Sequence, residues 1–405
     1  MKLILIAWKN LWRNKRRTMI TISSVLFGVL FSSMMYSLEE GSYGNMIDNM
    51  VRLSSGYLNI QQKDFRETRS INDCFLPDDS LWNVLSHTPE ITLKTARLQS
   101  VALASTGDKT YPVMVLGIEP DKELINSNIS KWIQYGQFIH PGDPGVVLGS
   151  VLADNLQASC GDTLILVSQG YHGVSTAGKF PITGIISLPS PVLNRQLVYM
   201  SLPVCQAFYG TGNQITSLMI MLKDYEYVLP VKNRLEPVIP EDLRLYTWQE
   251  LNPELVQFIQ GKKSSGNIFL GILFMIIGFG ILGTLIMVLA ERKRELGMML
   301  ALGMHKARIS LMLFSETIFL ALIGIVTGLF ISVPVIFYLI RNPIPVTGTM
   351  KDAFLQLGFE PVILFSLKPY VLFTPVIIVF IITFFVSLYI FYAIFKLKET
   401  TALHG

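Results

Sequence analysis

Charge is scarce in this 405-residue sequence: Asp, Glu, Lys and Arg make up 15% of it against 51% hydrophobic residues, and the mean hydropathy is +0.46. Such scarcity argues against an ordinary soluble domain and for an integral membrane protein. The net charge of +4 is too small to argue for nucleic acid, and none is expected as a partner. Cysteine is equally sparse. Cys74, Cys160 and Cys205 are odd in number and widely spaced, which leaves room for one disulfide in an oxidising compartment but lacks metal-ligand spacing. Read blandly, they are small buried residues. The five histidines, His87, His140, His172, His305 and His404, have no carboxylate or cysteine at ligand distance in sequence, so none is assigned to a metal or to catalysis. No nucleophile, carboxylate pair or metal cluster stands out either. The chain is therefore read as a non-enzyme with no cofactor of its own. Internal repeats and low-complexity linkers are also missing.

A nucleotide site is excluded on finer grounds. "GVSTAGKF", Gly173 to Phe180, nearly matches the phosphate-cradling pattern G-x-x-x-x-G-K-[ST], which needs a hydroxyl after the lysine and a following helix. Phe180 stands where the hydroxyl should be, and "PITGII" follows with strand character. The stretch is read as a flexible loop between strands.

Long apolar runs are what the sequence has in abundance. A bilayer core about 30 Å thick takes about 20 helical residues. Four runs qualify, near Met19–Leu38, Ile268–Ala290, Leu311–Ile340 and Tyr370–Phe395. The first is long for a signal sequence and lacks a small-x-small cleavage site after it, so it is read as a retained helix. Basic residues mark the cytoplasmic side. They gather at Lys9, Arg13, Lys15, Arg16 and Arg17 before the first run, at Arg292, Lys293, Arg294, Lys306 and Arg308 between the second and third, and at Lys396 and Lys398 after the fourth. Four crossings put all three clusters on one side, with both termini cytoplasmic. Residues 39 to 267 then lie outside, in the periplasm of a cell whose inner membrane holds the chain.

The expected fold is thus a membrane protein of four transmembrane helices with a large α+β periplasmic domain inserted between helices 1 and 2. Its divisions are 1–42 (cytoplasmic segment and helix 1), 43–264 (outer domain) and 265–405 (helices 2–4, with a cytoplasmic segment at 291–309 and a periplasmic loop at 341–368). Within the outer domain, "GYLNIQQ", "TARLQSVALAST", "KTYPVMVLGIEP", "DTLILVSQG", "KFPITGIISL", "QLVYMSL" and "SLMIMLKD" read as strands. Helices are expected near Asp79–Ser86, Gly149–Gln157, Leu202–Tyr209 and Glu226–Leu235, the second preceded by a strand and ended by Gly161.

"ERKRELGMMLALGMHKARI" is the one sizeable cytoplasmic connection between membrane helices. Glu291, Arg292, Lys293, Arg294 and Glu295 favour helix, Met298 and Met299 contribute to an apolar surface, and Gly303 ends it. A short two-faced helix under a membrane suits docking into a groove of a cytoplasmic partner.

That stretch resembles the E-R-x-R-E-[IL]-G-x-[ML]-x-A-L-G signature of the ABC permease subunits shared by the macrolide exporter, the lipoprotein-releasing complex and the cell-division permease. "SETIFLALIGIVTGLF", "WKNLWRNKRRT" and "FYAIFKLKETTALHG" are similar to further parts of that family, with Glu399 and Thr400 where proline is usual. The resemblance implies two permease subunits, self or paralogue, each docked on a separate cytoplasmic ATPase that binds the ATP and Mg. Closure of the ATPases is relayed to the outer domains. Residues 291 to 303 would make the contacts, with Arg292, Lys293, Arg294 and Glu295 as polar partners and Met298 and Met299 as adaptable ones.

Glu316 is read either as a brace to a neighbouring helix, such as a basic residue before the first run, or as a solvated interfacial group. Gly324 and Gly328 form a small-x-x-x-small face for packing within one subunit or between two, and Gly278, Gly280 and Gly283 act similarly. "SSGYLNIQ", "VMVLGIEP" and "YTWQELNPEL" look most like the lipoprotein-releasing branch, which implies a lipoprotein substrate drawn from the surrounding membrane lipids and a periplasmic carrier. Acyl chains would enter between helices 1 and 2 of paired subunits, lined by Val25, Phe27, Phe31, Met34, Met35, Phe269, Phe274, Ile277 and Leu285, unless these face lipid. Gly170–Lys179 and Pro189–Arg195 are candidate carrier-capture loops. Export of drugs or peptides to an adaptor, and regulation of cell-wall hydrolases without transport, stay open.

Overall fold

The computed structural model describes residues 15–107, 109–349, 351, 354 and 361–396. Lys9, Arg13, Lys398, Glu399, Thr400 and His404, named above, lie outside them. The chain divides into two compact units: a helical one of Met1–Tyr43, Phe258–Pro345 and Val362–Gly405, and a sheet one of Gly44–Gln257 and Val346–Pro361.

Among the described residues four helices are long and apolar enough to cross a membrane. They belong to α1 (Lys15–Leu53), α3 (Pro253–Glu291), α5 (Lys306–Arg341) and α6 (Pro369–Phe395), with α2 (Pro120–Ser127) and α4 (Lys293–Ala301) the shorter helices used below. Each of α1 and α3 has 39 residues, so at 1.5 Å per residue each is about 58 Å long, nearly twice a bilayer core. The apolar runs end well before the helices do. Stretches such as Glu39–Arg52 and Pro253–Asn267 stay helical although they are polar and carry Gly, Ser and Asn; burial of Ile47, Val51, Leu255 and Ile259, not intrinsic propensity, extends the helices, so hydropathy alone stops short. In the helical unit, Val25, Val29, Ile277, Ile281, Ile325 and Val379 bury one another in a core drawn from all four membrane helices.

The sheet unit holds ten strands: β1 (Leu58–Gln62), β2 (Ile91–Ser105), β3 (Thr110–Ile118), β4 (Ile133–Gly136), β5 (Val146–Gly149), β6 (Thr163–Gln169), β7 (Ser175–Ile186), β8 (Leu197–Ser201), β9 (Ser217–Leu222) and β10 (Leu243–Thr247). Their order is β10-β1-β9-β2-β3-β8-β5-β7-β4, and β6 pairs with both β2 and β7. Strands β2, β3, β8, β5, β7 and β6 thereby form a closed ring, which removes edges that would otherwise invite pairing with another chain. Buried Leu116, Ile118, Val147, Ile186, Leu197 and Tyr199 pack on the ring with Leu53 from the end of α1.

Two local expectations are corrected. "GVSTAGKF" is no loop beyond its first residues: β7 starts at Ser175, and Gly173 at φ +80° supplies the turn before it. Alternate burial of Thr176, Gly178 and Phe180 gives this stretch the period-two pattern of a strand. The helix Ser150–Leu156 ends on Gln157 in the left-handed region at φ +54°, not at Gly161.

Candidate functional site

The charged stretch after α3 folds into α4. Helix α3 stops at Glu291, and Arg292 at φ −98°, ψ 7° breaks the backbone direction before Lys293 starts a new helix. Its far end is closed by Gly303 at φ +87°, where the Met304 N–H donates to the Met299 carbonyl at 3.0 Å, a C-terminal arrangement that a residue with a Cβ would strain.

The helix is two-faced. Leu296 and Leu300 are buried with Leu285, Ile309, Leu313, Ile390 and Ile394, so three membrane helices hold one side. Glu291, Arg294, Met298, Ala301 and Leu302 are exposed, with Lys293, Glu295 and Met299 intermediate. Arg294, Met298 and Leu302 follow an i, i+4, i+8 spacing and share a face. Leu302, 88% exposed, is an apolar group that the described residues do not cover.

Arg292 is a correction. Expected as a polar contact for a partner, it is 5% exposed and turned inward, its Nη1 donating to Glu316 Oε2 at 2.8 Å and its Nε to Glu295 Oε2 at 3.4 Å. The cause is Glu316, itself 3% exposed on α5: a buried carboxylate needs a charged donor nearby, and the end of α3 supplies one. The pair locks α3 to α5 at the root of α4. Lys306 Nζ also reaches the Phe395 carbonyl at 3.1 Å, placing a cation at the C-terminal end of α6. Farther along the unit, Lys368 Nζ meets Glu40 at 3.2 Å and Ser37 exchanges hydrogen bonds with Ser366. Neither contact could be read from the sequence, because both join segments more than three hundred residues apart.

The glycines of α5 face α1 of the same chain. A Cβ on Gly324 would lie 2.7 Å from Val25 Cβ, and one on Gly328 3.0 Å from Leu26 O and Val29 Cβ. Gly280 likewise sits under Ser24 and Gly278 beside Ile382, whereas Gly283 has open space around it.

The expected acyl cavity is redistributed by this packing. Val25 and Ile277, 1% and 5% exposed, belong to the core of the helical unit and cannot line an open cavity. Leu285 is buried in the cluster under α4. Phe274 lines a shallow groove of about 370 Å³ with Gly271, Phe279 and Ile382, so it faces α6 rather than α1. Phe27 and Phe31 are exposed and stacked at 6.1 Å, and Phe269 is exposed too, while Met34 and Met35 are intermediate. The carrier-capture candidates differ as well. Pro191–Gln196 is a helix whose Asn194 is buried and bonded to both ends of Leu188, so it is not an open loop. In Gly170–Lys179 the exposed part is a turn at His172–Ser175 leading into β7.

The three cysteines are free thiols, Cys160 exposed and Cys74 and Cys205 buried. Burial pushes the Cys74 thiol up to about 11 and raises Cys205 as well. Within the described residues no group of three His, Cys, Asp or Glu side chains could hold a metal ion.

Comparison with known proteins now bears on this geometry. Residues 18–238 match the MacB-like periplasmic core domain, and residues 267–398 match the FtsX-like permease C-terminal domain. Among individual proteins, the lipoprotein-releasing system transmembrane protein LolC of Neisseria meningitidis is 18% identical over 324 residues, 77% of this chain and 75% of that protein. LolE of Haemophilus influenzae is 25% identical over 269 residues, 61% and 62% of the two chains. An ABC transporter permease of Methanocaldococcus jannaschii is 20% identical over 342 residues, 82% of each. The periplasmic region of MacB from Actinobacillus actinomycetemcomitans aligns with a TM-score of 0.34 at 15% identity, covering 50% of this chain and 92% of that one.

Proposed function

We propose that this chain, which belongs to the family of ABC transporter permeases joining a MacB-like periplasmic core domain to an FtsX-like permease C-terminal domain, relays the work of a separate ATPase to its sheet unit. It is a multi-pass inner-membrane protein of the Lol/MacB type. The observation that carries the relay is the asymmetry of α4: Leu296 and Leu300 anchor one face in the membrane-helix core, and Arg294, Met298 and Leu302 leave the other uncovered. A partner seated there acts on a helix already tied to α3 and α5 through Arg292 and Glu316. The ATPase would bind the ATP and Mg, and it shifts the permease only through contacts that differ between its own two states. In this reading α4 lies in the cytoplasm, the sheet unit in the periplasm, and a second permease subunit completes the complex.

The cargo reading is release of lipid-anchored proteins from the inner membrane to a periplasmic carrier. It is supported by the similarity to LolC and LolE. Phe27 and Phe31, exposed and stacked on α1, and Phe269, exposed on α3, offer apolar surface that acyl chains and a second subunit would cover.

Affinity purification of the full chain from its native membrane in mild detergent, with mass spectrometry of retained proteins and lipid-modified peptides, tests this. A P-loop ATPase together with acylated lipoproteins is the expected result. An ATPase with an export adaptor or a cell-wall hydrolase, and no lipoproteins, moves the function to export or regulation, and absence of an ATPase removes the relay.

A further inference from the structure

The sheet unit contains a cleft of about 540 Å³, within the range of ligand sites, that nothing above uses. Its floor is one face of five neighbouring strands, β1, β9, β2, β3 and β8. That floor is polar over β1, β9 and β2, where a sheet packed on a core would be apolar, and apolar over β3 and β8, which contribute Met114, Leu116 and Leu197. The strand register sets Gln61 beside Ser217 and Ser217 beside Arg97, while Asn59 and Gln99 lie two residues along on the same face. Asn59, Gln61, Arg97 and Ser217 are all buried. Asn59 Oδ1 and Arg97 Nε have no partner among the described residues but are closed off from the cleft, so a ligand meets the floor through Gln61, Gln99 and Ser217, which line it. Polar groups in such a place are costly unless something bonds them.

The walls and rim say more. Met50 and Leu53 from the end of α1, and Pro253 and Leu255 from the start of α3, give apolar sides. Arg66 and Arg69 stand exposed on the rim against one acid, Glu254, and the Arg66 guanidinium lies 5.7 Å over the Tyr246 ring. Arg97 is already neutralised by Glu123, which accepts from its Nη2 at 2.8 and 2.9 Å. The uncompensated positive charge is therefore at the mouth, and the amide groups are at the base.

We infer that this cleft binds an extended peptide segment bearing a carboxylate. Its main-chain N–H and C=O groups bond the amides of the floor, its side chains lie along the apolar walls, and its carboxylate meets Arg66 and Arg69. An acyl chain fits poorly, because it would leave the amides of the floor unpaired. The site also touches the apparatus that holds α1. Arg97 donates to the carbonyls of Arg52, at 3.5 Å, and Ser54, and the Asn126 amide donates to the Arg52 carbonyl at 2.8 Å, so the last turn of α1 is capped by the floor of the cleft. Occupancy thereby bears on the end of a helix that continues into the membrane span. This inference goes beyond the relay and the cargo reading and holds whichever cargo is carried.

The test presents immobilised full-length protein in detergent with a pool of random octapeptides, and identifies the retained peptides by mass spectrometry. The expected result is enrichment in Asp and Glu, with affinity for the enriched peptides falling about a hundredfold in the Arg66→Glu, Arg69→Glu double variant, about tenfold for each charge-assisted contact. Both positions are exposed, so an unchanged unfolding temperature and unchanged co-purification of the ATPase separate this loss from misfolding or from failure of the relay. Gln61→Leu, which alters no charge, is expected to lower the same affinities. Equal retention by the double variant, or no enrichment of acidic peptides, would overturn the inference.

Discussion

Replacing Glu316 by Gln leaves the Arg292 guanidinium buried with its charge only partly met, since Glu295 stays near at 3.4 Å but is itself 39% exposed in its side chain. Removing one member of a buried ion pair costs about 3–5 kcal/mol, and the residual help from Glu295 argues for the lower end. At 1.4 kcal/mol per factor of ten, about 3 kcal/mol corresponds to roughly a hundredfold easier local opening. Amide hydrogen exchange of Leu296–Leu302, read by mass spectrometry on the full chain in nanodiscs, reports that opening directly. Arg292→Met alone should also raise exchange, because it removes the donor that ties Glu316 to the end of α3. Arg292→Met together with Glu316→Leu replaces the pair with apolar groups of comparable size and should return exchange to within about threefold of the native rate. Unchanged exchange in the single variants, or additive losses in the double one, would refute the claim that this pair fixes α4.

Further outcomes follow from the same packing. Gly324→Leu and Gly328→Leu each drive a side chain into Val25 or Val29, a cost of about 1–3 kcal/mol or more, visible as a lower unfolding temperature of the detergent-purified protein; Gly283→Ala, with open space around it, should be near neutral. Arg294→Glu with Leu302→Asp should abolish retention of the ATPase while leaving exchange of Leu296 and Leu300 native, as judged by co-purification and exchange together. Near neutral pH maleimide should label Cys160 alone, and Cys74 should join only as the pH rises towards about 11, because burial disfavours its thiolate; intact-mass measurement across a pH series reads this.

Much of this architecture is legible from sequence because two periodicities are strong here. Four apolar runs announce membrane helices, and alternating stretches such as "TARLQSVALAST" announce β2. Helices Asp79–Ser86 and Leu202–Tyr209 follow from their own boundaries, an Asp78 cap on one and Gly210 after the other. What hydropathy misses is helix that continues beyond the lipid, since Glu39–Arg52 carries neither hydrophobicity nor propensity and is held by the burial of Ile47 and Val51. Strands β4 and β10 escape notice because β4, Ile133–Gly136, is exposed along most of its length and β10, Leu243–Thr247, runs straight on from the charged stretch Glu241–Asp242 and carries Arg244. At the docking segment, composition identifies a two-faced helix but not which arginine faces inward. Arg292 and Arg294 look alike in a basic run, and only the placement of Glu316, 24 residues later and buried on α5, separates them. A usable signal is present all the same: a carboxylate within an apolar helix requires a cation, and the basic run at the end of α3 is one of the places in the sequence that offers it.

The most direct test of the relay places a photo-crosslinking amino acid at Met298 and, separately, at Leu296, in cells expressing the full chain. The account predicts that Met298, on the uncovered face of α4, forms an adduct with a P-loop ATPase whose yield changes with nucleotide, and that Leu296, buried against Ile309 and Leu313, forms none. Adducts of equal yield at both positions, or none to any ATPase at Met298, would contradict it.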